Sequence, residues 1–222
     1  TVYAREGFVI VSLSWILLSF FGALPFVFSG EIPSLIDAMF EVVSGFTTTG
    51  ATILSDVESI SKSLLFWRAF THWIGGMGIL MFVLAFLPQK DIQSMHIMRA
   101  EVPGPSVGKL VSKTTITARI LYIIYAVFTL AEIIALLCCD MPLFDSVTTA
   151  FATAGTGGFS IKNSSIGGYS PYLQNVVAVF MFLFGINFNI YFLIILRQIK
   201  TVFKNEELRA YIFIAVTSVL MI

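Results

Sequence analysis

Residues 44–54 read SGFTTTGATIL, and the rest of the chain is read outward from them. A run of three threonines, Thr47 to Thr49, and two glycines, Gly45 and Gly50, interrupts a sequence that is otherwise strongly apolar. The segment leading into it, residues 34–46 (SLIDAMFEVVSGF), is too short to cross a bilayer, which takes about 20 residues, and suits a re-entrant helix. It opens Ser34-Leu-Ile-Asp37, a start resembling a capping box. Irregular backbone at membrane depth is tolerated only where it is buried in protein or lines a watery cavity. A polar Gly/Thr stretch after a short helix is therefore expected to line a passage.

The composition agrees with that setting. Of 222 residues, 57% are hydrophobic and 12% charged, against about 25% charged in soluble domains. This is an all-α membrane protein. Zero net charge argues against nucleic acid as a partner. Spans are expected at 7–28, 66–87, 116–139 and 173–196, with a fifth starting near Leu208. Cys138 and Cys139 are adjacent in an apolar run, which suits neither an ordinary disulfide nor a metal site. No cleavable signal peptide is evident. The chain begins at Thr1 and its fifth span is still running at Ile222, so it is expected to be a fragment of a longer protein.

A second short segment, 142–154 (PLFDSVTTAFATA), leads into GTGGFS at 155–160 as the first leads into TTTGAT at 47–52. A shift of 108 residues brings Leu35 onto Leu143, Asp37 onto Asp145, Thr48 onto Thr156, Gly50 onto Gly158 and Ile53 onto Ile161. The same shift carries span 7–28 onto 115–136 and span 66–87 onto 174–195. Two registers that agree define an internal repeat of span, re-entrant helix, Gly/Thr loop, span. The expected organisation is a first unit over 1–88, a cytoplasmic linker over 89–115, a second unit over 116–199, and a linker with the start of a third unit over 200–222.

Charge sets the orientation. Segments 88–119 and 197–209 hold Lys90, Arg99, Lys109, Lys113, Arg119, Arg197, Lys200, Lys204 and Arg209, whereas 29–65 and 140–172 hold only Lys62 and Lys162. The first pair is expected to be cytoplasmic. The second pair carries Glu31, Asp37, Glu41, Asp56, Glu58, Asp140 and Asp145 and is expected to face outward, so both loops enter from outside. The partial negative charge at the C-terminal end of each short helix would favour a cation. Glycine lets the chain turn carbonyls toward an axis, and carbonyls so placed can replace a cation's hydration shell. The arms differ (Thr47-Thr48-Thr49-Gly50 against Gly155-Thr156-Gly157-Gly158), so a ring built from them is quasi-symmetric. A phosphate-binding loop is excluded, because no GxxxxGK[ST] occurs and no strand precedes.

SGFTTTGAT (44–52), FWRAFTHWIGGMGI (66–79), ATAGTGGFS (152–160) and GINFN (185–189) resemble the Trk/Ktr/HKT superfamily of potassium-translocating proteins, most closely its TrkH branch, over essentially the whole chain. The resemblance implies four linked potassium-channel-like units around one pore. It implies that Gly50 and Gly158 are the filter glycines of the first two, and that Thr48, Thr49, Thr156 and Gly157 offer oxygens to the ion. Thr47 and Gly155 are adjoining candidates. Glycine rather than serine at position 50 points to potassium. The resemblance also implies a homodimer in the plasma membrane and a cytosolic ring of nucleotide-binding regulatory subunits. Two units and the start of a third cannot close a four-part ring, so either the chain is a fragment or two chains complete one pore.

Other polar residues leave alternatives. Arg68, His72 and Trp73 are interfacial anchors or braces for the filter. Gly75, Gly76 and Gly78 permit close helix packing. Glu132, inside a span, must face protein or water or be protonated. Glu41 is a candidate to hold the filter backbone by a hydrogen bond, and Asn187 and Asn189 are candidates for bonds between helices. The competing function is a secondary transporter coupling cation uptake to protons or sodium through broken helices. An enzyme is disfavoured: His72 and His96 lie in different regions, and no HExxH or nucleophile motif occurs.

Overall fold

A computed structural model describes residues 4–78 and 114–221. Among these residues the protein is all helix and loop, with no strand. The first unit comprises α1 (Ala4–Ser29), α2 (Leu35–Phe46) and α3 (Lys62–Gly76). The second comprises α4 (Thr114–Leu137), α5 (Leu143–Ala154), α6 (Pro171–Phe184) and α7 (Phe188–Ile195). The short α8 (Ile199–Phe203) leads to α9 (Glu206–Met221). The expected linker over 89–115, and with it His96, lies almost wholly outside the described residues.

Among the described residues, two helices are long and apolar enough to cross a membrane, over Val9–Phe28 and Ala118–Leu137. Their outward faces carry Leu13, Ile16, Phe21, Ile123, Val127 and Leu130, all more than half exposed, as suits lipid as the solvent. The short helices α2 and α5 pack inside them. Ser34 caps α2 by accepting from the Asp37 amide at 3.4 Å, which ends the preceding loop where the sequence indicates. Pro142 precedes α5 and Pro171 opens α6, where its missing N–H costs nothing. Cys138 and Cys139 are both free thiols.

Two expected spans take a different form. Residues 173–196 are not one straight span: α6 and α7 meet at an 81° bend. Gly185 ends α6, and the Asn187 side chain accepts from the Asn189 amide to start α7 afresh. Asn187 also donates to the Glu207 carboxylate at 3.2 Å, tying the break to α9. Hydropathy averages over the break because most of the residues on either side of it are apolar. In the span expected at 66–87, helix α3 starts four residues earlier, at Lys62, and stops at Gly76; Gly78 has φ +81, the left-handed conformation that closes a helix. Residues 79–87 lie outside the described residues.

The end of α3 is wedged between the ends of the two short helices. A Cβ on Gly75 would strike the Phe46 carbonyl at the end of α2, and one on Gly76 would strike Gly155 and the Tyr125 hydroxyl. Gly75 and Gly76 are two of the three close-packing residues the sequence indicated; the third, Gly78, stands instead at the left-handed close of the helix. Gly75→Ala should destabilise the full-length protein by about 1–3 kcal/mol, the usual cost of overpacking, because backbone rather than a flexible side chain must move. Thermal denaturation in detergent measures this; an unchanged midpoint would contradict the packing.

Candidate ion-coordinating site

Each short helix ends in a loop of the same backbone design. In the first arm Thr48 has φ +54 and Gly50 φ +74; in the second Thr156 has φ +58 and Gly158 φ +67. The intervening Thr49 and Gly157 are not in this region. Such alternation turns successive peptide groups the same way, amides on one side and carbonyls on the other. Left-handed φ is uncommon for threonine and costs about 1–2 kcal/mol per residue, so its recurrence at positions 108 apart marks a shared requirement.

The carbonyls fit that reading. Among the described residues, those of Thr48, Thr49, Gly50, Thr156, Gly157 and Gly158 accept no hydrogen bond. Carbonyls just beyond them are occupied: Ala51's, next after Gly50, accepts from the Ser44 hydroxyl at 2.5 Å, and Ser160's, two residues after Gly158, from Arg68 Nη1 at 2.5 Å. The arms touch, since a Cβ at Gly50 would collide with the Gly157 carbonyl. At Gly158 there is open space. Thr47 and Thr49 pair their hydroxyls at 2.8 Å, and the Thr47 hydroxyl lies 2.7 Å from the Val43 carbonyl. Gly155 is buried at the end of α5, behind the second arm.

Arg68 and Glu41 brace both arms. Arg68 Nε donates to Glu41 Oε1 at 2.5 Å, with the two side chains 2% and 0% exposed. The Glu41 carboxylate also accepts from the Thr52 hydroxyl at 2.9 Å and the Ile53 amide at 3.1 Å, immediately after the first arm. Arg68 reaches the second arm at Ser160 and lies 3.4 Å over the Phe159 ring, a cation–π contact. The interfacial-anchor reading of Arg68 and His72 is thereby corrected: both are buried in protein, because α3 runs between the two loops rather than along the membrane surface. Trp73 is half-buried and donates to Thr129 at 3.0 Å.

His72 explains why the second arm is richer in glycine. Its ring stacks on Phe159 at 5.3 Å, and a Cβ at Gly155 or Gly157 would run into it. The imidazole occupies the volume that side chains like Thr47 and Thr49 would need. The repeat partner of His72 is Phe180, a substitution legible in the sequence only once the loop geometry is known.

Beyond Thr48 a cavity of about 410 Å³ is lined by Gly76, Gly78, Gly185, Asn187 and Glu207. The loops that follow the two arms are joined as well. Asn163 accepts from the Val57 amide at 2.9 Å and donates to Asp56 at 2.7 Å.

The family model described as TrkH, cation transport protein, matches residues 1–220. The chain is 40% identical over 98% of its length to the Trk system potassium uptake protein TrkH of Salmonella typhimurium, covering 46% of that protein. It is 38% identical over 95% of its length to the Trk system potassium uptake protein TrkG of Escherichia coli, covering 44% of it. The crystal structure of the potassium transporter TrkH from Vibrio parahaemolyticus superposes with a TM-score of 0.77 at 32% identity, over 96% of this chain and 43% of that one. The chain thus spans about half the length of the curated relatives it matches. The helical units, their quasi-symmetric channel-like arrangement and these similarities agree, and the chain belongs to the TrkH family of cation transport proteins.

Proposed function

We propose that this chain supplies the first two arms of a potassium filter in a membrane transport protein. The observation that carries the reading is the pair of repeat-related loops whose unpartnered carbonyls, at Thr48–Gly50 and Thr156–Gly158, follow the C-terminal ends of short helices. A desolvated cation needs oxygens held in place in advance of its arrival, and the Glu41–Arg68 brace holds these. Thr48, Thr49, Gly50, Thr156, Gly157 and Gly158 are the coordinating residues, with Thr47 and Gly155 at the base of each arm. The units run over 1–88 and 116–199, with the linker 89–115 and the start of a third unit over 200–222. The bundle sits in the plasma membrane with the loops entering from outside, as the Lys/Arg distribution favours. It works as a homodimer docked on a cytosolic nucleotide-binding ring. These assignments rest on the resemblance to named potassium uptake proteins.

Coupling of uptake to protons or sodium is the second reading, favoured by the break between α6 and α7, since broken helices are common at coupled ion sites. The full-length protein in liposomes should carry potassium down its gradient with no opposing proton or sodium gradient. Potassium uptake that occurs only while an imposed proton or sodium gradient drives it would favour the second reading, and no potassium flux under either condition would overturn both.

A further inference from the structure

The repeat that relates the two arms breaks at one pair of positions. In the first unit the Glu41 carboxylate accepts from the Thr52 hydroxyl at 2.9 Å and the Ile53 amide at 3.1 Å, and Arg68 balances its charge. A shift of 108 residues places Thr149 where Glu41 stands and Val176 where Arg68 stands, while the two donors return as Ser160 and Ile161. The local turn returns with them. The Leu54 amide donates to the Thr52 hydroxyl oxygen at 3.1 Å, and the Lys162 amide to that of Ser160 at 3.0 Å. The second arm therefore keeps the donors and has no carboxylate to receive them. Among the described residues neither the Ser160 hydroxyl proton nor the Ile161 amide meets an acceptor, although Ile161 is buried. Buried amides nearly always find a partner in protein or in ordered water.

Thr149, Ser160 and Ile161 all line one cavity of about 130 Å³, and Gly158 of the arm lines it with them. The threonine hydroxyl lies two bonds nearer the backbone than a glutamate oxygen would, and the cavity is the space this difference leaves. It has room for several waters, and its polar groups supply the partners they need. Among the described residues no Lys, Arg or His lines it, and its Tyr169 donates to the Asp145 carboxylate at 2.7 Å. An anion there would be buried without a counter-charge, so the fitting ligand is neutral. Ser165, exposed in the loop that follows the arm, lines the cavity as well and gives waters a route of exchange.

We propose that this cavity is a hydration site that holds the second arm: ordered water accepts from the Ser160 hydroxyl and the Ile161 amide, the part that the Glu41 carboxylate plays for the first arm. Water leaves and returns, whereas Glu41 is fixed by Arg68. The second arm is accordingly the more compliant of the two. The inference concerns how the arm is held and stands apart from the transport reading.

Residue-resolved hydrogen–deuterium exchange of the full-length protein compares the two repeat-related amides. Corrected for intrinsic rates, Ile161 should exchange about tenfold faster than Ile53. Thr149→Gln supplies a neutral acceptor of glutamate's length and should slow Ile161 several-fold while leaving Ile53 unchanged. Thr149→Leu fills the same volume without an acceptor and should have a lower thermal midpoint than Thr149→Gln. A high-resolution map of the wild type should show water within hydrogen-bonding distance of the Ile161 amide, which decides the matter if neither variant folds. Ile161 as protected as Ile53 in the wild type would overturn the hydration site. Unchanged Ile161 exchange in a folded Thr149→Gln, or a Thr149→Leu as stable as it, would overturn the need for an acceptor there. Anomalous density in the cavity after bromide replaces chloride would overturn the neutral ligand in favour of an anion.

Discussion

Arg68→Leu in the full-length protein should destabilise the fold by about 3–5 kcal/mol, the cost of removing one partner from a buried ion pair. The Glu41 carboxylate would remain 0% exposed with its cation gone, and the Ser160 carbonyl of the second arm would lose its donor. A loss of this size is a large fraction of a typical folding free energy, so little folded protein should be recovered. Glu41→Leu should be damaging for the converse reason, since it strands the guanidinium and frees the Ile53 amide. The double variant Arg68→Leu with Glu41→Leu should recover part of either single loss, because no uncompensated charge remains. It should not recover all of it, because Ser160, Thr52 and Ile53 still lack their partners. Folded yield and thermal midpoint of the three variants measure the coupling. Strictly additive losses would mean that the pair holds nothing together.

The second large effect is expected at Gly50, and its contrast with Gly158 makes it specific. Both have left-handed φ, +74 and +67, so any side chain at either is strained by about 1–2 kcal/mol. Only at Gly50 does the new Cβ also meet backbone, the Gly157 carbonyl of the other arm. Gly50→Ala should therefore displace the carbonyls of both arms, and Gly158→Ala only those of its own. Potassium-over-sodium preference should fall about tenfold in the first, equivalent to about 1.4 kcal/mol of lost discrimination, and by clearly less in the second. Equal losses at the two positions would contradict the contact between the arms.

The parts of this architecture that were legible in the sequence are those set by local pattern. The length of 34–46 and 142–154, the cap at Ser34, and the recurrence of Thr48 and Gly50 at Thr156 and Gly158 each come from nearest-neighbour chemistry or from the repeat. The recurring pair proves to be the pair with left-handed φ. What was hidden depends on distant partners. Arg68 at the start of an apolar span looks like a membrane-surface anchor until Glu41, 27 residues away, and Ser160, 92 residues away, are found against it. The bend at Gly185–Asn187 was hidden for another reason: three residues suffice to end one helix and cap the next, and they lower the mean hydropathy of a 24-residue window only slightly. The glycines of the second arm could be seen, but their cause, the His72 ring, belongs to the other unit.

The most direct test of the central claim, that these loops coordinate the transported ion, is the ratio of potassium to sodium flux in liposomes for the full-length protein and its Gly50→Ser variant. The hydroxymethyl group would project against the Gly157 carbonyl from a backbone that resists it. The account predicts a folded variant whose potassium preference is markedly reduced, with sodium flux raised relative to potassium. A folded Gly50→Ser protein with the wild-type ratio would contradict it.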